Sequence, residues 1–572
     1  MSQGAQPSVE NTIAKAAALF NRGVQQSDQG DLAGAAESYR EAIAVYPRLH
    51  QARINAGLVA ERQQQDADAA RHWLSVAEAV VEGHADAIPF ATIALNHLGR
   101  LQETRRNYAA AESALAHSLR LNPVQPDAIQ HWVHLRQKQC TWPVYAPLPG
   151  ISVNRLMAAT SPLAMLAMLD DPAMQWLAAQ SFVARKYKEP EEPLGRSEAG
   201  RSGDRSLQGR GRPLRIGYLS GDLCTHAVGL LMAEVLEAHD RTRVHVTAFD
   251  FSPDDGTAHR ARLRRAVDEI VPIHALPDRA AAEAIRDRGI DVLIDMHGLS
   301  SGARPGILAL RPAPRMGTYL GFIGTTALPW VDFVVTDRFT LHEATTPYVT
   351  EQPLYIDGSM IPLFHQPIPS SRFTRESVGL PAEAVVLTSF NNIYKITPGL
   401  FACWLRILQR CGRAVLWLLD DNPWATAALR AHAANAGLDP ARIVFCGRST
   451  HAEFREKLTL ADLYLDTYPY NAGSTARDVL DAHVPLITLA GRTPVARMAG
   501  GLLHAAGLDG LITTSIDGYE ELAVQLAGDA SRRLAIREEM RRRAPDWRMA
   551  PAHLARSLEE QLLQMAGPGP VA

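Results

Sequence analysis

The pattern of hydrophobic and polar positions changes twice along this chain of 572 residues. Up to about residue 187, apolar residues recur every three or four positions, which predicts amphipathic helices. Residues 188–213 contain almost no apolar side chains, and we interpret them as a flexible linker. From Leu214 onward, short apolar runs alternate with helical patterns, which predicts parallel sheets whose strands are connected by helices.

An internal repeat organises the first part of the chain. Three successive frames match the small, large apolar or aromatic, and proline positions of a tetratricopeptide unit, the second of them without the proline. Their residues are Gly23, Ala35, Tyr39 and Pro47 in the first frame, Gly57, Ala69 and Trp73 in the second, and Gly99, Ala111, Leu115 and Pro123 in the third. Small residues allow paired helices to approach closely, and a proline ends the second helix of a pair. We therefore predict tetratricopeptide repeats over residues 13–135, built of three helix pairs, and a connecting helical segment over 136–187.

The second part of the chain predicts two Rossmann-like, doubly wound lobes. Its apolar runs form two sets, RIGYLS, VHVTAFDF and DVLIDM, then VVLTSF, AVLWLLD, RIVFCG, LYLDT and PLITL. A proline-rich stretch separates the sets, so we predict an N-terminal lobe over 214–370 and a C-terminal lobe over 371–566. Folds of this class bind ligands at the carboxyl ends of their strands, which predicts a binding cleft between the lobes.

Composition narrows the class of protein. A formal net charge of −3 argues against a general nucleic-acid binder. The five cysteines are scattered without a C-x-x-C spacing, which favours a reducing cytosol over a disulfide framework or a zinc site. The chain shows neither a leader pattern at its start nor an uninterrupted apolar run of membrane-spanning length. We expect a cytoplasmic protein without membrane or nucleic-acid partners.

The stretch ADLYLDTYPYNAGSTARDVLDAHVPLITL, residues 461–489, carries the most informative chemistry. A buried strand ending at Leu465 leads into a turn of small residues, Asn471-Ala472-Gly473-Ser474-Thr475, and the helix through Asp478 and Leu480 then begins. Free amides and the positive dipole end at a helix start favour an anion, so the pattern predicts a phosphate site. Asp478 follows within the first turn, where its carboxylate would accept a hydrogen bond from a sugar hydroxyl. The alternative is that Ser474 and Thr475 only cap the helix.

Loops after the strands of the first lobe supply candidates for catalysis and substrate binding. His226 follows the first strand, and histidine suits general-base work near neutral pH, although a lone histidine is also a common helix cap. His297 lies in the glycine-bearing loop DMHGLSSGAR, and Gly321 and Thr325 lie in RPAPRMGTYLGFIGTT. We expect these three residues to contact substrate at one edge of the lobe.

Loops of the second lobe supply candidates for nucleotide binding. Asn392 and Lys395 follow a strand, and a lysine there can reach a diphosphate and offset the charge that grows on a leaving nucleotide. After a later strand, Ser449, His451 and Phe454 are placed to hydrogen-bond to a base and stack on it. The lobes contain no D-x-D sequence, so we predict no metal site for the diphosphate.

Taken in order, these motifs resemble the O-linked N-acetylglucosamine transferase family, particularly its bacterial members. The resemblance covers essentially the whole chain and rests on the repeats and on the series SGDLCTHAVG, SPDDGT, GARPGILALRPAP, YLGFIGT, FNNIYKI and GSTARDVLDAHVPLIT. It implies two lobes of the GT-B type, UDP-N-acetylglucosamine as donor and no metal or other cofactor. It also implies inverting transfer to serine or threonine hydroxyls of proteins, which the repeats would bind.

The resemblance assigns roles by position. His226 matches the histidine that the family is proposed to use as general base, Lys395 the lysine on the diphosphate, and Asn392 a glutamine near the nucleotide. Tyr470 stands where the animal enzymes carry a small cysteine near the acetamide of the sugar. Its larger ring would narrow the sugar pocket, which makes N-acetylglucosamine less certain than UDP.

Around the phosphate-binding helix the match is close but incomplete. Ser474 and Thr475 match two family threonines, and Asp478 matches the aspartate that binds ribose. The family lysine and histidine that flank the uridine appear here as His451 and Phe454, which retain hydrogen bonding and stacking but weaken the assignment of the base.

Two alternatives remain open at the level of sequence. One is transfer of another nucleotide sugar, such as GDP-fucose, as in plant relatives. The other is an inactive scaffold in which only the repeats function. The presence of His226, Lys395 and Asp478 together argues against loss of activity.

Overall fold

The computed structural model of the chain describes residues 9–188, 194 and 212–566. The predicted linker over 188–213 lies almost entirely outside the described residues. The chain forms two compact units, Met1–Thr160 and Ser161–Ala572. Their boundary falls inside the segment 136–187, which we had interpreted as a connecting helical region.

The first unit is built mainly of helices in its described part, with an irregular stretch between residues 139 and 152. Its helices are α1 (Val9–Asp28), α2 (Leu32–Val45), α3 (His50–Arg62), α4 (Asp66–Val81), α5 (Ile88–Thr104), α6 (Tyr108–Leu121), α7 (Pro126–Lys138) and α8 (Val153–Ala159). Helices α1 and α2, α3 and α4, and α5 and α6 pack as pairs. These pairs coincide with the three repeat frames read from the sequence.

Each pair is close because a glycine on its first helix faces a large side chain on its second. The facing residues are Gly23 and Tyr39, Gly57 and Trp73, and Gly99 and Leu115. A Cβ atom on Gly57 would overlap the Trp73 indole, whose Nε1 donates a hydrogen bond to the Ile54 carbonyl at 3.2 Å. Trp73 is fully buried, so the aromatic position of the repeat is the centre of its core.

The second unit begins with two helices and continues with a longer series of strands and helices. Its helices are α9 (Pro162–Met168), α10 (Pro172–Lys186), α11 (Ala227–Ala238), α12 (Ala258–Arg265), α13 (Asp278–Asp287), α14 (Pro305–Ala309), α15 (Pro398–Arg410), α16 (Pro423–Asn435), α17 (His451–Leu458), α18 (Ser474–Asp481), α19 (Met498–Ala505), α20 (Ile516–Gly528), α21 (Ala530–Trp547) and α22 (Ala550–Ala566).

The strands form one sheet in each lobe. They are β1 (Leu214–Ser220), β2 (Val244–Asp250), β3 (Glu269–Pro272), β4 (Val292–Asp295), β5 (Arg315–Thr318), β6 (Phe333–Thr336), β7 (Gln352–Tyr355), β8 (Val385–Ser389), β9 (Ala414–Asp420), β10 (Ile443–Gly447), β11 (Leu463–Leu465), β12 (Leu486–Leu489) and β13 (Ile512–Thr513). The gap between β7 and β8 spans the predicted lobe boundary at residue 370.

Strand order places the ends of particular strands at the cleft. The first sheet has the order β3-β2-β1-β4-β5-β6-β7 and the second β10-β9-β8-β11-β12-β13, and all recorded pairs in them are parallel. The order reverses between β1 and β4 and between β8 and β11. Ligands of doubly wound folds bind at such switch points. The helical region followed by two doubly wound lobes confirms the predicted fold class.

Five strands were not predicted from the sequence, namely β3, β5, β6, β7 and β13. Four of them have only four residues and β13 has two. Segments this short offer little hydrophobic pattern, and their pairing depends on neighbours that are distant in sequence.

The last helix connects the two lobes. Helix α22 packs against α11 of the first lobe, although the sequence had assigned its residues to the C-terminal lobe. Glu559 of α22 is buried and accepts hydrogen bonds from the Asp240 amide and His239 Nδ1, each at 2.9 Å. In the part of the chain that the structure describes, no helix is long and apolar enough to cross a membrane.

Candidate functional site

A cleft of ≈ 780 Å³ lies between the two sheets of the second unit. Most of the residues that the sequence had singled out line it, namely His226, Gly321, Asn392, Lys395, Ser449, His451, Phe454, Tyr470, Gly473, Ser474 and Thr475. Three do not: His297, Thr325 and Asp478 are buried behind its wall. The lining comes mainly from the loops after β1, β4, β5, β8, β10 and β11.

The start of α18 forms one end of the cleft. Gly473 is the N-cap residue, and no side chain caps the helix. Ser474 and Thr475 therefore occupy the first helical turn and do not serve as caps, which removes the alternative considered from the sequence. The first amides of α18 are free of side-chain caps where the cleft meets the helix, a setting that favours an anion.

The turn before α18 is built around the buried carboxylate of Asp466. Its Oδ1 accepts hydrogen bonds from the amides of Thr467, at 2.8 Å, and Ala472, at 2.7 Å, and Oδ2 accepts from Thr488 Oγ1 at 2.7 Å. Burial raises the pKa of Asp466 to about 7, and these hydrogen bonds act in the opposite direction. Asp466 thus fixes the path of the chain from β11 to α18.

Lys395 faces this turn from the loop after β8. Its Nζ donates a hydrogen bond to the Asn471 carbonyl at 3.2 Å and lies 3.7 Å from the centre of the Tyr470 ring. Burial lowers the pKa of Lys395 to about 8, and the nearby charge of Asp466 opposes that shift. The Lys395 ammonium therefore lies near the start of α18. Its partners there, a carbonyl oxygen and an aromatic ring, are weak enough for an anion to replace them.

The other end of the cleft is aromatic. Phe454 of α17 packs edge-on against Phe390 with ring centres 5.8 Å apart, and the rings of His451 and Phe454 are near parallel at 6.4 Å. Helix α17 begins with a capping box formed by Thr450 and Glu453. The aromatic pair is thus presented by a well-capped helix, in an arrangement suited to a flat heterocycle.

Asp478 lies beneath this aromatic end. Its Oδ2 is 3.0 Å from His451 Nε2, and its Oδ1 accepts a hydrogen bond from Arg477 Nη2 at 2.6 Å. The side chain of Asp478 is only 4% exposed. The structure therefore places Asp478 against His451, and His451 is the member of the pair that contacts the cleft.

The opposite wall comes from the loop after β1. His226 is the N-cap residue of α11, and its side chain is 50% exposed. Its Nδ1 lies 3.4 Å from the Val228 amide nitrogen and 3.3 Å from Asp222 Oδ2. The structure thus confirms that His226 lies in a loop before an apolar helix, and it adds a carboxylate beside it.

His297 and Thr325 have structural partners. His297 Nε2 accepts a hydrogen bond from the Gly221 amide at 2.9 Å, and Nδ1 is 3.0 Å from Ser300 Oγ. Thr325 Oγ1 donates to Glu351 Oε2 at 2.7 Å. Both side chains shape the loops of the first lobe without lining the cleft.

Gly321 contributes backbone close to the cleft. A Cβ atom at this position would overlap the Met296 carbonyl, so only glycine allows the loop after β5 to pack on the loop after β4. The close packing brings the backbone of residue 321 to the cleft surface.

Several lining residues were missed in the sequence, including Asp222, Ser300, Ser301 and Arg448. Asp222 stands four positions before His226, in the same loop, and that spacing was the available signal. Arg448 Nη2 donates to Asn392 Oδ1 at 3.3 Å, a contact between two loops that sequence spacing does not reveal.

Among residues 9–188, 194 and 212–566, no group of three or more histidine, cysteine, aspartate or glutamate side chains converges as ligands for a metal ion. All five cysteines, Cys140, Cys224, Cys403, Cys411 and Cys446, are free thiols.

Comparison with known proteins identifies the catalytic half. The sequence model of glycosyl transferase family 41 matches residues 201–361 and 366–549. The probable UDP-N-acetylglucosamine–peptide N-acetylglucosaminyltransferase SEC of Arabidopsis thaliana is 33% identical over 341 residues, which are 58% of this chain and 35% of the relative. The corresponding transferase of Caenorhabditis elegans is 26% identical over an alignment of 440 residues, and the match covers 57% of this chain and 38% of the relative. The chain thus spans little more than a third of the length of these relatives.

A solved structure extends the similarity in fold to the whole chain. A mutant of the O-GlcNAc transferase of Thermobaculum terrenum matches with a TM-score of 0.67 and 23% identity, covering 99% of this chain and 98% of the other. The family match covers more than half of the sequence and both lobes that form the cleft. The chain belongs to glycosyl transferase family 41.

Proposed function

We propose that this protein transfers N-acetylglucosamine from UDP-N-acetylglucosamine to serine and threonine hydroxyls of proteins, with inversion at the anomeric carbon and without a metal ion. The observation that carries the proposal is the convergence of Lys395, the uncapped start of α18 and His226 on one cleft. Relatives named as UDP-N-acetylglucosamine–peptide transferases support the choice of donor and acceptor.

The second lobe would bind the donor. The diphosphate would contact the first amides of α18 and the Ser474 and Thr475 hydroxyls, and Lys395 would move from the Tyr470 ring to the phosphate oxygens. The base would stack at the His451 and Phe454 end. Positive charge from the helix dipole and one lysine stabilises a diphosphate leaving group in the place of a divalent cation.

The first lobe would prepare the acceptor. His226 would take the hydroxyl proton while the oxygen attacks the anomeric carbon from the side opposite the diphosphate. His226 and Lys395 come from different lobes and face the same cleft, which suits a single in-line displacement. One displacement inverts the configuration of the anomeric carbon.

The repeat unit would bind the acceptor protein. In that unit, a groove of ≈ 500 Å³ lies among α4, α5 and α6 and is lined by both apolar and polar side chains, among them Leu74, Leu95, His117 and Arg120. Leu74 is 43% exposed, so it presents apolar surface to this groove. The free cysteines are consistent with our further proposal that the reaction takes place in the cytoplasm.

The position of Tyr470 is compatible with a nucleotide sugar other than UDP-N-acetylglucosamine as donor. Its ring contacts the Lys395 ammonium inside the cleft, where it would occupy space next to the sugar. A sugar without an acetamide, as in GDP-fucose, would fit a narrower pocket. The base contacts at His451 and Phe454 then decide between uracil and guanine.

Calorimetry against nucleotide diphosphates and their sugars, with and without EDTA, tests donor binding. We expect the affinity for UDP and for UDP-N-acetylglucosamine to be the same with and without EDTA, and GDP to bind weakly. Preferential binding of GDP-fucose would replace the proposed donor. Loss of UDP binding in EDTA would contradict the metal-independent mechanism, and absence of binding to every nucleotide would favour an inactive scaffold.

A further inference from the structure

Asp222 lies between two histidines on the first-lobe wall of the cleft. Its Oδ2 is 3.3 Å from His226 Nδ1 and 3.6 Å from His297 Nε2, and its side chain is 19% exposed. Asp222 and His226 both line the cleft, whereas His297 does not. A partly buried carboxylate in this position favours a proton on the ring nitrogen that faces it.

His297 cannot supply that proton. Its Nε2 accepts the hydrogen bond from the Gly221 amide, so this nitrogen carries a lone pair, and Nδ1 carries the proton and donates to Ser300 Oγ. Burial lowers the pKa of His297, although the charge of Asp222 opposes the shift. A neutral His297 with this tautomer has no ring proton facing Asp222. His226 is therefore the histidine whose ring proton can face the Asp222 carboxylate.

His226 has a choice of two neutral tautomers. With a lone pair on Nδ1 it accepts the Val228 N–H across 3.4 Å, the cap hydrogen bond of α11, and with a proton on Nδ1 it makes an electrostatic contact with Asp222 Oδ2 across 3.3 Å. Both contacts are long, and the negative charge of Asp222 decides between them because it attracts an N–H group at this distance. A lone pair on Nδ1 would also face the negative charge. The proton on Nδ1 is therefore favoured, and Nε2 is left as the acceptor on the opposite edge of the ring.

Two hydrogen bonds to the segment SPDDGT, residues 252–257, hold the loop between Asp222 and His226. The Leu223 amide donates to Ser252 Oγ at 2.8 Å, and the Thr225 amide donates to Asp255 Oδ2 at 2.7 Å. These hydrogen bonds give a structural role to the SPDDGT motif, which takes no part in the proposed contacts to phosphate and base. They fix the backbone between Asp222 and His226, so the distance between the two side chains does not depend on a mobile loop.

We propose that Asp222 is a positioning residue that sets the tautomer of His226, with Nε2 as the proton acceptor for the incoming hydroxyl. The proposal rests on the proposed transfer reaction. The O–H bond of the acceptor breaks, its proton moves to Nε2, and its oxygen bonds to the anomeric carbon. The bond from that carbon to the diphosphate oxygen breaks, and its electron pair leaves with UDP. Asp222 stabilises the imidazolium until the proton passes to water.

The tautomer can be measured without any assay of transfer. In protein labelled with ¹⁵N-histidine, long-range proton–nitrogen correlation spectra distinguish a protonated from an unprotonated ring nitrogen, and His226→Asn identifies the signals of interest. In the wild-type protein we expect neutral His226 to carry its proton on Nδ1. A wild-type ring protonated mainly on Nε2 would overturn the proposal by itself, whether or not any variant folds.

Asp222→Ala tests the cause. With the carboxylate removed, Nδ1 should accept the Val228 N–H and the proton should move to Nε2. Asp254→Ala is the matched control, because Asp254 lies in the SPDDGT segment but is 68% exposed and does not line the cleft. An unchanged tautomer in folded Asp222→Ala protein would refute the assignment.

Kinetics then connect the tautomer to turnover. Asp222→Ala should lower kcat for transfer on the order of 100-fold, the size of a general-base contribution, while UDP affinity stays at the wild-type value. Full kcat in this variant would overturn the proposal. A wild-type protein with the expected tautomer but no transfer activity would instead contradict the proposed function, so the two failures are distinguishable.

Discussion

The ammonium of Lys395 rests on the face of the Tyr470 ring, with Nζ 3.7 Å from the ring centre. Its hydrogen-bond acceptor in the same turn is the Asn471 carbonyl, at 3.2 Å. A contact between a cation and an aromatic ring contributes about 0.5 to 2 kcal/mol, less than a charge-assisted bond to a phosphate. The Lys395 ammonium is therefore held beside the start of α18 by two partners that the proposed diphosphate would displace.

Replacing Lys395 by alanine should affect turnover more than donor binding. The charge that Lys395 offsets is greatest while the bond from sugar to phosphate is breaking, so we expect kcat to fall on the order of 100-fold or more. Steady-state kinetics with saturating donor, together with UDP calorimetry, measure the two effects. Lys457→Ala is a control, because Lys457 also lines the cleft but its Nζ lies over the Phe373 ring. Wild-type turnover in Lys395→Ala at saturating donor would exclude the role of leaving-group stabiliser.

Donor binding should take up a proton at alkaline pH. The pKa of Lys395 is about 8 in the free protein because of burial, so at about pH 9 most molecules hold it neutral. A bound diphosphate favours the charged form, so UDP binding should bring a proton with it, and affinity should decline as pH rises above about 8. Calorimetry in two buffers with different ionisation enthalpies measures the uptake. Lys395→Met should abolish it; identical uptake in that variant would assign the proton to another group.

Asp478 and His451 should act on UDP as one unit. Asp478→Asn and His451→Ala should each weaken UDP binding by about 1 to 3 kcal/mol, because either change removes the oriented histidine at the base end. The double variant should be no weaker than the worse single variant, as expected for contacting residues. Additive losses would mean that Asp478 contacts the nucleotide independently, as the family resemblance had implied.

The groove of the repeat unit should affect acceptor choice and leave the chemistry unchanged. Leu74→Glu places a charge in the apolar part of that groove, so transfer to protein acceptors should decrease while hydrolysis of the donor continues at the wild-type rate. Val81→Glu provides the control, since Val81 ends the same helix, is 79% exposed and does not line the groove. Equal losses in both variants, or loss of donor hydrolysis in Leu74→Glu, would refute the separation of roles.

The features that the sequence predicted well are those encoded over short distances. A glycine and an aromatic residue at repeat spacing indicate a helix pair because both lie in the same supersecondary unit, as Gly57 and Trp73 do. The cleft could be located because loops that follow parallel strands meet at one edge of the sheet. His226 and Lys395 follow β1 and β8, and Thr475 lies at the helix start after β11; all three line the cleft.

Partners that are distant in sequence account for most of the differences. Thr325 was a reasonable candidate in a glycine-rich loop, but Glu351 accepts its hydroxyl hydrogen bond from a separate part of the lobe. Asp478 was expected to bind a ribose, and the structure adds a contact of its Oδ2 with His451 Nε2 of α17, at 3.0 Å and 27 positions earlier in the chain. Neither arrangement follows from spacing, because each depends on how separate loops pack.

The most direct measurement is the configuration of the transferred sugar. The protein, freed of metal by EDTA, is incubated with UDP-N-acetylglucosamine, whose anomeric linkage is α, and a serine-containing acceptor protein. Proton NMR of the isolated glycopeptide then gives the anomeric coupling constant. Our account predicts a β-linked N-acetylglucosamine on the serine or threonine oxygen, formed at the same rate with and without EDTA. An α-linked product, a product formed only with added metal, or transfer only from a different nucleotide sugar would contradict it.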